Sequence, residues 1–120
     1  GNYEWCNDHV GNGADTDDNN THTATKIEMT GDTADHDWYV GSASGEDGVS
    51  GTIKIYGPHL TKETRVEWSL QYQDSGGSGT QHAAGAGARE STTAVNAWQV
   101  FFSAGNIESG TITVHGISNS

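Results

Sequence analysis

Several features that are common in proteins are scarce or missing in this sequence of 120 residues. Cys6 is the only cysteine, so no internal disulfide can form, and the fold must depend on packing, metal or oligomerisation. Basic residues number 5 against 16 acidic ones, and the net charge of −11 argues against nucleic-acid phosphates and anionic membranes as partners. No apolar run approaches the roughly 20 residues of a membrane span. We therefore expect neither nucleic-acid binding nor membrane insertion.

Helical patterns are missing as well, and short runs of alternating apolar and polar residues are present instead. The clearest run is residues 65–73, in which polar residues alternate with Val66, Trp68, Leu70 and Tyr72. Its period of two predicts a half-buried strand. Weaker runs predict strands at residues 2–5, 23–30, 37–43, 49–56, 92–103 and 111–117.

These runs predict the fold class. Long polar loops are expected at residues 7–20 and 74–87. Residues 92–103 are largely apolar on both faces, which indicates a central strand or a subunit contact. The sequence thus predicts a single all-β domain, a β-sandwich of jelly-roll type with about seven to eight short strands.

One string of residues occurs twice. Ser-Gly-Thr-Ile begins at Ser50 and again at Ser109, an offset of 59 positions (109 − 50), close to half the chain. The match suggests two related halves within the single domain, residues 1–58 and 59–120. The alternative is that two strands of one sheet share a Gly-Thr pattern that is common in strands. Residues 109–117 are expected to form the closing strand, with their alternate apolar side chains in the core.

Two stretches resemble a known group of proteins. They are Val-Ser-Gly-Thr-Ile-Lys-Ile-Tyr-Gly-Pro at residues 49–58 and Phe-Phe-Ser-Ala-Gly-Asn-Ile-Glu-Ser-Gly-Thr-Ile at residues 101–112, followed by Gly116-Ile117. Residues 38–117 as a whole resemble the C-terminal part of tail and tail-fibre-associated structural proteins of tailed bacteriophages and prophages. His115 departs from the Tyr that this group most often has. The extra N-terminal strands of the group are also missing, so we expect a neighbouring subunit to complete an exposed sheet edge.

The resemblance implies a virion structural protein without catalysis, on the exterior of a phage-like particle. It would be a tail or fibre module that touches the host surface, or a head decoration protein. The implied partners are other virion proteins, copies of itself in a homo-oligomer such as a trimer, and host surface glycans. The alternative is a secreted, extracellular carbohydrate- or Ca²⁺-binding β-sandwich module. Because the first residues resemble the middle of a strand, we expect a processed or separately folded end of something larger, or export with an assembly.

The acidic stretch within residues 7–20 is the candidate metal site. Its oxygen-bearing residues are Asp15, Asp17, Asp18 and Asn19. Such residues at close spacing are typical of Ca²⁺ loops, in which about six to eight oxygens converge on the ion. The stretch does not match an EF-hand, because Asn20 stands in place of the turn glycine and Lys26 in place of the bidentate Glu. Ca²⁺ is the cofactor suggested here, and a solvated polar loop is the alternative.

Aromatic residues offer another kind of site. Tyr3 and Trp5 precede the polar loop and are candidates for stacking on sugar rings. Trp38, Trp68 and Trp98 instead follow strand periodicity and are expected in the core.

Catalytic patterns are weak throughout the chain. Asp35 and Asp37 flank His36 and could serve acid–base chemistry, but nothing apolar surrounds them in the sequence to shift their pKa values. We interpret them as a polar approach to the next strand. Neither a Gly-x-Ser-x-Gly elbow nor a metal-type histidine spacing occurs. We therefore predict no catalytic residues.

Overall fold

The computed structural model describes residues 2–11, 14–23, 25–30, 40–41, 48–73, 79–102 and 105–117, with the backbone alone for residue 9 and residues 14–23. The described residues form five strands, β1 (Tyr3–Gly11), β2 (Ala14–Thr23), β3 (Val49–Tyr56), β4 (Thr64–Gln73) and β5 (Thr80–Arg89). They contain no helix long and apolar enough to cross a membrane. The all-β class predicted from the sequence is confirmed.

All five strands belong to one antiparallel sheet with the order β2-β1-β5-β4-β3. The last strand in the chain, β5, lies in the middle of the sheet, where it pairs with β1 on one side and with β4 on the other. The sheet therefore joins two antiparallel pairs, β1 with β2 and β3 with β4, through a central strand. Its outermost strands, among the residues described, are β2 and β3.

One face of the sheet, named here the inner face, holds the core. Alternation along β4 places Trp68 and Tyr72 on this face, and each is only 3% exposed. The register brings Trp5 of β1 and Ala83 of β5 to the same face, because residues directly opposite each other in a sheet share a face. The other face, the outer face, is mostly polar and exposed. The predicted strand at residues 65–73 is confirmed.

The central strand β5 is built mainly from alanine and glycine, which lets tryptophan side chains of its neighbours pack against it. A Cβ atom at Gly85 would lie 2.4 Å from Cζ2 of Trp68 and 2.3 Å from the carbonyl oxygen of Cys6. Only glycine allows such a close approach of backbone and indole. The loop expected at residues 74–87 is therefore wrong for the part inside β5, and residues 74–78 lie outside the described chain.

Residues 7–11 and 14–20 belong to two paired strands instead of the expected loop. The β1–β2 ladder runs from Tyr3 opposite Thr23 to Gly11 opposite Ala14, with an irregularity near its start. Asn and Asp are depleted in strands, but the ladder to β5 holds β1 extended, and β1 then pairs with β2. Tertiary pairing has overridden the local preference, so the candidate metal ligands lie on a strand.

Three stretches predicted as strands are irregular in the part of the chain that is described. Residues 25–30 pack on the inner face, where Ile27 Cδ1 lies 3.1 Å from the position that a Cβ of Gly87 would take. Residues 92–102 and 105–117 are irregular chain without strand pairing. The closing strand expected at residues 109–117 is therefore not part of the sheet, and its apolar side chains are not in the core.

Two further predicted strands have different outcomes. The strand predicted at residues 49–56 is confirmed as β3. Of the strand predicted at residues 37–43, only positions 40 and 41 are described, and the Gly41 amide donates to the carbonyl of Gln73 at 2.8 Å. Trp38, expected in the core, lies outside the described residues.

Candidate functional site

The four acidic and amide residues predicted to bind a metal lie on β2, an edge strand of the sheet as described. The register places Asp15 opposite Val10, Asp17 opposite Asp8, Asp18 opposite Asn7 and Asn19 opposite Cys6. Successive strand residues lie on opposite faces, so Asp18 lies on one face of the sheet and the other three residues lie on the other. A loop, in contrast, could bring all four together. Among the described side chains, which exclude those of β2, no group of three or more His, Cys, Asp or Glu could hold a metal. Ca²⁺ binding by the four residues stays a prediction.

The two aromatic residues predicted to stack on sugars differ in exposure. Trp5 is 4% exposed, and its Cβ packs over Gly87, so its ring is not free to stack on a ligand. The binding role predicted for Trp5 does not fit this burial, because alternation along β1 turns the side chain to the inner face. Tyr3 is half-buried, and its binding role stays a prediction. Trp68 is in the core as expected, whereas Trp98 is 49% exposed, contrary to expectation.

One polar side chain on the inner face links three parts of the chain. Asn7 is 4% exposed, and its Oδ1 accepts a hydrogen bond from Trp68 Nε1 at 2.9 Å. Its Nδ2 donates to the carbonyl of Glu28 at 3.1 Å. Because buried polar groups are costly without partners, these bonds hold residues 25–30 against β1 and link β1 to β4 across the central strand β5. The sequence predicted Asn7 at the start of a polar loop, and only the sheet register reveals its role.

The outer face carries a charged cluster across β3 and β4. Lys54 Nζ lies 2.9 Å from Glu67 Oε1, and the Tyr56 hydroxyl also donates to Glu67. The hydrogen bond from Lys54, followed by that from Tyr56, lowers the pKa of Glu67, and the same carboxylate raises the pKa of Lys54 and that of Tyr56. All three ionisable groups are open to solvent, so the cluster is a surface ion pair with a hydrogen-bonded tyrosine.

A serine and a histidine also meet on the outer face. Ser69 Oγ lies 3.0 Å from His82 Nε2. Such a contact supports nucleophilic catalysis when a third group orients the base, an oxyanion hole is present and water is excluded. Here both residues are exposed on an open sheet. The acidic residue of β1 nearest to His82 in register, Asp8, is paired with Ala84 and is therefore not directly opposite His82. The geometry fits a polar pair between neighbouring strands.

Exposed apolar side chains are concentrated after β5, in a stretch named here the C-terminal segment, residues 91–102 and 105–117. It holds eight of the twelve large apolar side chains described as exposed, namely Trp98, Val100, Phe101, Phe102, Ile107, Ile112, Val114 and Ile117. Single apolar residues on a surface are ordinary, whereas large exposed apolar patches are typical of interaction sites. The subunit contact indicated by the apolar faces of residues 92–103 stays a prediction.

Hydrogen bonds near its start determine where the C-terminal segment leaves the sheet. The Glu90 amide, just before it, donates to the carbonyl of Asn2 at 2.8 Å. The Val95 amide donates to the carbonyl of Pro58 at 2.6 Å, which places the segment beside the β3–β4 connection. These bonds hold one end of the segment against the sheet and leave its apolar residues exposed beyond that point.

Comparisons of the chain with protein-family models, with curated proteins and with solved structures found no match. The likeness of residues 38–117 to phage tail proteins therefore depends on the quoted stretches of sequence alone. Asp35, His36 and Asp37, considered above for acid–base chemistry, lie outside the described residues. The C-terminal segment is thus the surface on which a functional proposal can be built.

Proposed function

We propose that this chain is a non-enzymatic structural subunit that assembles with copies of itself, and with other virion proteins, on the exterior of a phage-like particle. It would be a tail or fibre module or a head decoration protein. The observation that carries the proposal is the apolar C-terminal segment, which the five-stranded sheet leaves exposed. The resemblance of residues 38–117 to virion proteins supports the setting, and an acidic surface is compatible with it.

The exposed segment is large enough to drive association. Full burial of a Val, Leu, Ile or Phe side chain contributes about 1.5–3 kcal/mol. The eight large apolar side chains of the segment are between 36% and 89% exposed. Because the exposed fractions average about half, burying what is exposed would contribute about 6–12 kcal/mol, comparable with the roughly 4–15 kcal/mol that association costs in lost freedom. Backbone and polar contacts would then favour the assembled state.

Assembly would also complete the fold. A sheet is stable when its apolar face is covered by another layer, and a jelly roll has two such layers. We propose that the C-terminal segment supplies the strands that bring the five described here to the jelly roll of about seven to eight. Residues 92–102 and 109–117 would then pair only in the assembled state.

The proposal is tested by measuring the mass of the chain in solution by size-exclusion chromatography with light scattering, over a wide range of concentration. We expect a discrete oligomer, and we expect Val100→Lys to shift it to monomer because the charge would be buried in the contact. Val10→Lys is the matched control, since Val10 is exposed to a similar degree, 47% against 40%, on the outer face of β1. A monomer at every concentration, or an oligomer that Val100→Lys leaves intact, would contradict the proposal.

The setting on a particle needs a separate measurement. Immunogold labelling of intact particles with an antibody against the chain should decorate their exterior. Label that appears only after the particles are disrupted would contradict an exterior location.

A further inference from the structure

The two occurrences of Ser-Gly-Thr-Ile share a positive φ at their glycine as well as a sequence. Gly51 in β3 has a φ of +148° and Gly110 in the C-terminal segment a φ of +155°, values that other residues rarely adopt. In β3 the glycine allows a close approach, because a Cβ at Gly51 would lie 2.1 Å from the carbonyl oxygen of Ser69 in β4. A Cβ at Gly110 would meet no described atom within 4 Å. Gly110 therefore shares the positive φ of Gly51 but has no described neighbour of the kind that β4 provides for Gly51.

The alternation of side chains is shared too. In β3, Ile53 and Ile55 lie on the inner face, and the polar residues between and beside them lie on the outer face. After Gly110, Ile112 and Val114 alternate with polar residues in the same order. Ile112 is 65% exposed and Val114 69%. As a strand, this part of the segment would present one apolar and one polar row, which match the two faces of the sheet.

The two edge strands of the described sheet differ in the polarity of their inner-face residues, beside which an added strand would place its apolar row. On β2, the position opposite the inner-face residue Asn7 is occupied by Asp18. On β3, Ile53 and Ile55 continue the inner face and are half-buried. An apolar row placed beside an aspartate would take its charge out of water, whereas an apolar row beside β3 extends an apolar face. The edge of β3 is therefore the one that fits the segment.

We propose that residues 109–117 of one copy add as a strand to the edge of β3 in a second copy, the edge that no described strand pairs with. This inference rests on the proposed function and names one of the contacts through which the subunits assemble. Residues 109–117 number nine and β3 has eight, so the two match in length. Edge strands hold an added strand through their unpaired amide and carbonyl groups, and apolar rows supply the specificity of register.

The partner is a second copy because residues 109–117 are not paired with β3 of their own chain. The bond from Val95 to Pro58 holds the start of the segment near the end of β3. Even so, Ile112, Val114 and Ile117 remain 65%, 69% and 89% exposed. A contact between two different surfaces, a strand and an edge, is head-to-tail, and it closes into a ring or extends into a fibre. A trimer of the kind expected from the sequence would be such a ring.

Two substitutions separate the two sides of this contact. Thr113→Pro removes a backbone donor from the segment and blocks strand pairing without changing an apolar residue. Ile53→Lys places an inward-pointing charge on the edge strand, which opposes strand addition, while its half-exposed position lets the ammonium group reach water in the monomer. Thr52→Lys, exposed on the outer face of the same strand, is the matched control. Circular dichroism and thermal unfolding check that each variant is folded, and Ile55→Lys replaces Ile53→Lys if that variant is not.

Light scattering measures the oligomeric state of each variant alone and of the two blocked variants in mixture. We expect the wild type and Thr52→Lys to assemble, and Thr113→Pro and Ile53→Lys each to be monomeric. An equal mixture of the two blocked variants should form a dimer and nothing larger, because one retains a working edge and the other a working segment.

Other outcomes overturn the inference in distinguishable ways. Assembly of Thr113→Pro alone, or a mixture that stays monomeric, would show that strand addition does not join the copies. Assembly of Ile53→Lys alone would show that another surface than β3 receives the segment, and the proposed function would stand. A monomeric wild type, including one whose segment pairs with its own β3, would overturn the proposed function as well.

Discussion

Replacing the buried link between Asn7 and Trp68 should reveal how strongly the sheet depends on one hydrogen-bonded pair. Asn7→Leu keeps a similar side-chain volume but removes the amide, so Trp68 Nε1 and the carbonyl of Glu28 lose their partners. Trp68→Phe removes the donor and leaves Asn7 Oδ1 without this bond in the core. The double variant has apolar side chains at both positions, so it contains neither an unpaired indole N–H nor an unpaired amide oxygen at this contact.

The expected losses follow from burial. A buried polar group without a partner costs about 1–3 kcal/mol. Asn7→Leu leaves two groups without a partner, the indole N–H of Trp68, which is 3% exposed, and the carbonyl of the half-buried Glu28. The unfolding free energy should therefore fall by about 2–4 kcal/mol. Trp68→Phe adds lost ring volume to one unpaired group and should also cost about 2–4 kcal/mol. The double variant should lose about 1–2 kcal/mol less than the sum, because residues in contact are coupled.

Urea unfolding followed by far-UV circular dichroism measures these free energies, since tryptophan fluorescence would change with the substitution itself. Similar denaturant slopes among the variants would show that they unfold in the same way. Asn7→Leu combined with Tyr56→Phe, whose hydroxyl lies on the outer face, is the control and should be additive. Additivity within about 0.3–0.5 kcal/mol for the Asn7 and Trp68 pair would refute the reasoning, because it would mean that the two side chains do not interact.

Gly85→Ala should lower the unfolding free energy by about 1–3 kcal/mol in the same urea assay, because the added methyl group would overlap a tryptophan ring of β4. Lys54→Met should raise the pKa of Glu67 toward its ordinary value of 4.5, as followed by NMR titration of the carboxyl group. Asp17→Asn should raise the unfolding free energy by about 0.2–1 kcal/mol at low salt, because Asp17 lies opposite another aspartate of β1.

The glycine and glutamate predictions have direct checks. Gly116→Ala, at an open position, should change stability by less than about 0.5 kcal/mol, and equal losses at both glycines would contradict the close approach at Gly85. Because the folded-state pKa of Glu67 is lowered, its ion pair stabilises the fold above the ordinary pKa and loses that effect as the pH falls through the lowered value. Lys54→Met should weaken this acid-range dependence, and an unchanged Glu67 titration would contradict the assigned cause.

The Asp17 prediction also separates the two interpretations of the acidic strand. If Asp15, Asp17, Asp18 and Asn19 hold Ca²⁺, calcium should raise the melting temperature of the wild type, and Asp17→Asn should reduce that rise. If they are only solvated, Asp17→Asn should stabilise the chain and calcium should have no specific effect. A melting temperature that neither calcium nor a chelator changes would remove the metal site from consideration.

β3 and β4 could be predicted from the sequence because a half-buried strand displays its environment as alternation. Residues 65–73 alternate throughout, and in β4 every apolar position is buried or half-buried. β5 could not be predicted in the same way, since residues 83–88 are all alanine or glycine and alternate too little to indicate a strand. Their suitability for the centre of the sheet depends on the indole rings of Trp5 and Trp68, which come from strands far away in sequence.

The candidate site was predictable only in part. The apolar character of residues 92–103 indicated a subunit contact, and the repeat at Ser109 indicated a second strand like β3. Whether those residues lie in the core or on the surface depends on pairing, and the structure leaves them outside the sheet. The register likewise decided that Trp5 is buried and that Asp17 lies opposite Asp8, because strand pairing joins residues that no local pattern relates.

By itself, the sequence determined an acidic, all-β chain without a disulfide, with two matching strand-like strings and apolar residues near its end. These properties follow from composition and local alternation, which can be read from the sequence without knowing which residues are in contact. The tertiary structure alone decided that β5 is central, that Asn7 is a core residue, and that one string is paired while the other is exposed. Such outcomes depend on contacts between residues far apart along the chain, and no short window of sequence contains them.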